Sequence, residues 1–102
     1  NVYPQEIEDI VLEHPSVTDA VLFKVNDTTA GQRACLYFTT DQLDADTLRI
    51  WCSDKLAAYQ IPQYLHAVEH IERLANGKVN RKKLAEDYAN QKPQSALEQV
   101  AG

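Results

Sequence analysis

The sequence predicts an α+β domain: a small sheet of about three strands, an antiparallel hairpin plus one, with helices packed on it in the order α-β-β-α-β-α. Three observations carry this. Apolar residues recur at helical spacing in three segments, beginning near Pro4, Asp44 and Arg81. Two β-rich runs, Val17 to Val25 and Arg33 to Thr40, are separated by one short polar cluster. Helices and strands are mixed without a run of βαβ repeats. At 102 residues the chain suits one domain with a modest core.

Pro4 to Glu13 reads as the first helix. Proline suits the first turn, where its missing N–H has no partner to lose. Glu6, Glu8 and Asp9 lie at the positive end of the helix dipole. Ile7, Ile10 and Val11 form one apolar face, and Pro15 ends the helix with His14 at its C-terminal side. In the first strand Ala20, Val21, Leu22, Phe23 and Val25 are mostly apolar, as in a central strand. Asn26 to Gln32, with Gly31, is a turn cluster. The second strand carries the β-formers Tyr37, Phe38, Thr39 and Thr40. Asp44 to Ala58 reads as the second helix, capped by Asp44 or Asp46, with a stripe of Leu48, Trp51, Cys52, Lys55 and Leu56. Pro62 breaks that pattern. Leu65 to Ile71 reads as the third strand. The last helix runs from Asn80 or Arg81 to about Asn90, with Leu84, Ala85 and Tyr88 facing inward. Residues 91–102 form a polar, proline-bearing tail in which Leu97 and Val100 allow one helical turn.

Composition excludes several classes of function. Charged residues make up 25% and the net charge is −5, a balance that argues against nonspecific nucleic-acid binding, which needs a broad basic surface. No apolar run approaches the roughly 20 residues of a membrane span, and no signal-peptide pattern opens the chain. With no methionine and an opening of Asn1-Val2-Tyr3-Pro4, the sequence is expected to be a piece of a longer protein. Cys35 and Cys52 lie in apolar patterns without CxxC spacing, which reads as reduced core cysteines in a cytoplasmic protein.

Candidate chemistry is sparse. His66 and His70 are four apart, but in a strand that spacing spans about 13 Å, so no metal site is expected. Glu6 and Glu8 point to different sides of a helix and cannot work as a carboxylate pair. The three glycines, Gly31, Gly77 and Gly102, cannot build a phosphate cradle. What remains is Asn76-Gly77-Lys78, followed by the basic run Arg81-Lys82-Lys83. Asn-Gly permits positive backbone angles. On pattern alone the lysine is either a spare charge on an exposed turn or a mobile cation reaching for a phosphate or carboxylate.

Two separated motifs carry a resemblance. "NVYPQEIED" at Asn1 and "NGKVNRKKL" at Asn76, with "HPSVTDAVL", Gly31-Gln32 and "KLAAYQIP" between them, resemble the C-terminal domain of the adenylate-forming superfamily. That superfamily holds acyl- and aryl-CoA ligases, adenylation domains of nonribosomal peptide synthetases and firefly luciferase. "NVYPQEIE" and "LAAYQIP" are most similar to acid–CoA ligases. "KLAAYQIP" and "CLYFTT" are more loosely similar to o-succinylbenzoate–CoA ligases of menaquinone synthesis.

The resemblance implies that residues 1–90 are a mobile lid. It also implies an N-terminal adenylation domain of the same chain, binding ATP, Mg2+ and CoA, with a small carboxylic acid as substrate. The isolated lid would hold no cofactor and would be inactive. Lys78 would contact the carboxylate and the attacked phosphate during adenylation, with Gly77 and Asn76 shaping its turn. Asn1, Val2, Tyr3 and Pro4 would lie by the surface that meets the pantetheine thiol. Two departures stand out: Glu72 where the family often has proline, and Asn80 where it often has aspartate. The tail "PQSALEQVA" is faintly similar to a carrier-protein linker, which leaves a peptide-synthetase lid open as an alternative. A further alternative is a non-catalytic domain that binds a carrier protein through its basic run.

Overall fold

Pro4 opens α1 (Pro4–Val11), in which Ile7 and Val11 are fully buried. The helix ends before Glu13 because its last turn tightens: Glu13 and His14 donate to the Ile10 and Val11 carbonyls. His14 therefore lies in the turn after the helix. Its Nδ1 accepts the Ser16 N–H at 3.0 Å, and its ring meets Trp51 edge-on. This computed structural model describes residues 2–27 and 31–101, with side chains as far as residue 91.

β1 (Val17–Asp27) and β2 (Gly31–Thr40) pair antiparallel, with Ala20 opposite Phe38 and Leu22 opposite Leu36. The ladder runs further than the side-chain pattern suggests. Asn26, Asp27, Gly31 and Gln32, expected in the turn, are still paired, because backbone hydrogen bonds do not depend on apolar side chains.

α2 (Ala45–Lys55) is capped by Asp44, whose carboxylate accepts the Thr47 N–H at 2.7 Å. That bond lowers the Asp44 pKa. The helix stops at Lys55 and is followed by one 3-10 turn, Ala58–Gln60. Leu48 and Cys52 are buried, and the Lys55 ammonium sits 5.5 Å from the centre of the Trp51 ring.

The third strand, β3 (Tyr64–Ala67), is shorter than expected and runs parallel to β2. α2 supplies the crossover that a parallel partner needs. The ladder closes with Val68 donating to the Phe38 carbonyl, after which the chain leaves the sheet. The sheet is thus mixed, in the order β1-β2-β3, with β1 at one edge. The last helix, α3 (Arg81–Ala101), continues through the residues expected to form a polar tail. Residues 94–101 are largely good helix formers, and their propensity favours this continuation.

Strand alternation divides the core in two. Ala20, Leu22, Leu36 and Phe38 pack with α1 and α2 on one face. Val21, Phe23, Val25 and Cys35 pack on the other, with Ile71 and with Leu84, Ala85 and Tyr88 of α3. Cys35 and Cys52 are buried and form no disulfide, one lying in each cluster, and burial raises the Cys52 pKa. No helix among the described residues is long and apolar enough to cross a membrane.

Candidate functional site

Gly77 shapes the lysine turn. Its N–H donates to the Leu74 carbonyl at 2.8 Å, and the Leu74 N–H donates to the Lys78 carbonyl at 2.8 Å. Gly77 has φ +85°, so this is a four-residue turn closed by a glycine bulge. No other residue of the turn has positive φ. Asn76 contributes differently from the backbone freedom expected of it: its side-chain oxygen accepts the Lys78 N–H at 3.0 Å.

Two arginines flank the turn. Arg73 forks onto the Asp19 carboxylate of β1 and donates to the Gly77 carbonyl at 3.0 Å. Its hydrogen bond to Asp19 raises the Arg73 pKa above the ordinary value. On the other side, Asn80 caps α3 by accepting the Lys83 N–H at 3.0 Å. Asparagine and aspartate cap about equally well, which accounts for Asn80 at this position. The Lys78 ammonium forms no ion pair with any described residue. A groove of about 310 Å³ lies beside the turn, lined by residues that include Leu74, Asn80, Lys83 and Asp87.

The basic run is not a free patch. Arg81 and Lys83 sit in the first turn of α3, where the helix dipole disfavours cations. Arg81 donates to both Glu8 oxygens, at 3.0 and 2.8 Å, and to the Leu22 carbonyl at 3.0 Å. Lys83 pairs with Asp87 one turn on. Glu8 is correspondingly not a surface residue placed for the dipole of α1. It is 6% exposed and also accepts the Leu22 N–H at 2.7 Å. Cations at a helix start were the sequence signal for this pairing. Nothing local in the sequence pointed to Glu8 as the partner.

The remaining candidates separate. His66 Nε2 lies 3.1 Å from the Tyr88 hydroxyl, whereas His70 is exposed near Asp41 and Arg73. Burial lowers the His66 pKa, and burial pushes that of Tyr88 up to about 12. Among the described residues no three His, Cys, Asp or Glu side chains gather as a metal-binding set. Val2 packs on the α1–α2 core and borders a groove of about 190 Å³ with Lys24, Arg33 and Tyr59. Tyr3 is exposed and Pro4 half-buried; Asn1 lies outside the described residues. Val79, beside Lys78, packs on the opposite core.

Residues 6–78, ending on Lys78 itself, match the family described as AMP-binding enzyme C-terminal domain. The chain belongs to this family. This C-terminal domain is 36% identical over 85 residues to 2-succinylbenzoate–CoA ligase of Bacillus licheniformis, covering 82% of this chain and 18% of that one. Among solved structures, the Mycobacterium tuberculosis fatty acyl CoA synthetase superposes with a TM-score of 0.82 at 29% identity, over 89% of this chain and 18% of the other. The o-succinylbenzoate CoA synthetase of Bacillus subtilis, a double mutant bound with a product analogue, gives 0.75 at 29% identity, over 82% and 18%. The domain spans less than a fifth of the length of the first curated relatives it matches.

Gly77 gives a direct test of the turn. An added methyl group would meet nothing within 4 Å, so replacement strains only the backbone. Gly77→Ala is expected to lower domain stability by about 1–2 kcal/mol in urea unfolding. Gly77→Asn should lose less, because asparagine tolerates the left-handed region. Equal losses would remove backbone conformation as the reason for glycine here.

Proposed function

We propose that this domain is the mobile lid of an ATP-dependent, AMP-forming acid–CoA ligase that works in the cytoplasm, and that Lys78 is its contribution to the first half-reaction. The observation that carries this reading is an unpaired lysine on an exposed turn whose backbone is hydrogen-bonded on both sides. In that half-reaction a carboxylate oxygen attacks the α-phosphorus of ATP, forming acyl-AMP and releasing pyrophosphate. Negative charge builds on the oxygens around phosphorus as the bond forms. A cation held there stabilises the transition state more than the ground state.

In the second half-reaction the CoA thiol attacks the acyl carbon and AMP leaves. The lid then turns Lys78 away and presents the face bearing Val2, Tyr3 and Pro4, with Asn1 before them. Rotation of a lid between two steps is a familiar way to remodel one site. Val2 and Val79 pack on opposite faces of the sheet, which suits such exchange. ATP, its Mg2+ and the acid would be held mainly by the N-terminal domain. The described residues offer no metal-binding set of their own.

An aryl acid is the first substrate to try, because 2-succinylbenzoate–CoA ligases recur among the relatives. Menaquinone synthesis is the corresponding setting. The test uses the full-length protein with ATP, CoA and a panel of 2-succinylbenzoate, benzoate and octanoate. Acid-dependent pyrophosphate release and a CoA thioester are expected from the full-length protein, and neither from the isolated domain. Pyrophosphate release with transfer only to a carrier-protein pantetheine would reassign the lid to a peptide synthetase. No acid-dependent pyrophosphate release across a wide acid panel would overturn adenylation itself.

A further inference from the structure

Every residue from Glu72 to Lys78 is exposed, between buried Ile71 and half-buried Val79. The turn's own hydrogen bonds are local, so they set its shape but not its direction. Among the described residues, the only side-chain hydrogen bonds from this span to the sheet are those of Arg73 to Asp19. Arg73 Nε lies 3.2 Å from Asp19 Oδ2 and Nη2 lies 2.5 Å from Oδ1. Two parallel bonds fix the plane of the guanidinium. The two N–H bonds of the remaining nitrogen, Nη1, are then fixed in that plane, and Nη1 donates to the Gly77 carbonyl at 3.0 Å. Asp19 is itself held, since its Oδ1 accepts the Ala20 N–H at 2.9 Å beside the register shift of β1.

The consequence falls on Lys78. The Gly77 carbonyl and the Lys78 N–H belong to one peptide plane. Arg73 holds the oxygen of that plane and the Asn76 side chain holds its N–H. The next plane is held by Leu74, whose N–H donates to the Lys78 carbonyl. Both planes flanking the Lys78 Cα are pinned, and they determine where its side chain starts.

We infer that Arg73 is a positioning residue for Lys78, acting as an Asp19–Arg73–Gly77 relay that aims the lysine turn for adenylation. This rests on the role for Lys78 proposed above. The pair is exposed enough to contribute little to stability, so its loss leaves the domain folded. Misdirection of a reacting group has a far larger effect on rate than on folding.

The experiment uses the full-length protein and whichever acid of the panel it turns over best. Two rates are read: acid-dependent pyrophosphate release, and thioester formation from the supplied acyl-AMP and CoA. Arg73→Gln and Asp19→Asn are each expected to slow the first roughly tenfold and to leave the second within about twofold. Arg73→Lys should restore little, because an ammonium cannot make the fork. In a Lys78→Ala background, Arg73→Gln should slow adenylation no further. Normal adenylation by Arg73→Gln, alongside a slow Lys78→Ala, overturns the relay alone. So does equal slowing of both half-reactions, or a further loss in the Lys78→Ala background. Normal adenylation by Lys78→Ala overturns the role of the lysine, and the relay with it.

Discussion

Lys78→Ala in the full-length protein is expected to slow acyl-AMP formation by about 100-fold or more, the scale on which one preorganised charge donor acts. Thioester formation from supplied acyl-AMP and CoA should change little. The split follows from the proposed mechanism, in which Lys78 meets the charge building on the oxygens around phosphorus in the first step and is turned away with the lid before the second. The loss should appear in kcat and kcat/KM together, because the interaction belongs to the transition state rather than to ground-state binding. Folding should not change, since the ammonium pairs with no described residue and the turn is shaped by backbone bonds and by Asn76. The measurement is pyrophosphate release against thioester formation for wild type and variant. Equal slowing of both halves would sink the assignment.

Glu8→Ala is expected to destabilise the domain by about 2–3 kcal/mol, read as a lower urea midpoint at unchanged slope. β1 is an edge strand, and the outward N–H and C=O of Leu22 have no strand beside them. Glu8 accepts from the first and Arg81 donates to the second, so an ion pair stands in for the missing neighbour. Removing Glu8 leaves a buried N–H without an acceptor and Arg81 without its carboxylate. The Arg81 side chain is 40% exposed, so water screens part of that charge, which keeps the estimate below a fully buried pair. Glu8→Gln keeps an acceptor for Leu22 and should lose about half as much, roughly 1–2 kcal/mol. Exposed Glu6→Ala should fall within about 0.5 kcal/mol of wild type. A Glu8→Ala midpoint matching that of Glu6→Ala would show that the pair holds nothing together.

The same pair links three elements that lie far apart in the chain: α1 through Glu8, β1 through Leu22 and α3 through Arg81. Arg81 comes three residues after Lys78, so the clamp that joins α3 to the sheet also sets the far side of the lysine turn. Arg73 sets the near side. A turn held at both ends by arginines on fixed partners suits the proposed lid role, in which one cation is carried to the same place at each closure.

Elements with a strong local signal were legible from residue types alone. Pro4 and the Ile7–Val11 face marked α1, Asp44 marked the start of α2, and the Asn76-Gly77 pair marked the turn. The apolar run of β1 was legible as a strand buried on both faces, but it does not distinguish a central strand from an edge strand covered by helices. β1 proved to be the edge, covered by side chains of α1 and α3. The parallel direction of β3 depended on α2 as its crossover, which no residue in β3 announces.

The sequence by itself determined that this is a small α+β domain with one exposed lysine turn, and its motifs marked the family. Helical spacing, caps and glycine turns are local physics, and they are written in neighbouring residues. Only the tertiary structure decided what the charges beside that turn do. Arg73 meets Asp19 across 54 positions and Arg81 meets Glu8 across 73. Ion pairs at such separations form only after the sheet and helices have packed, so no local pattern can distinguish a tethered arginine from a free one.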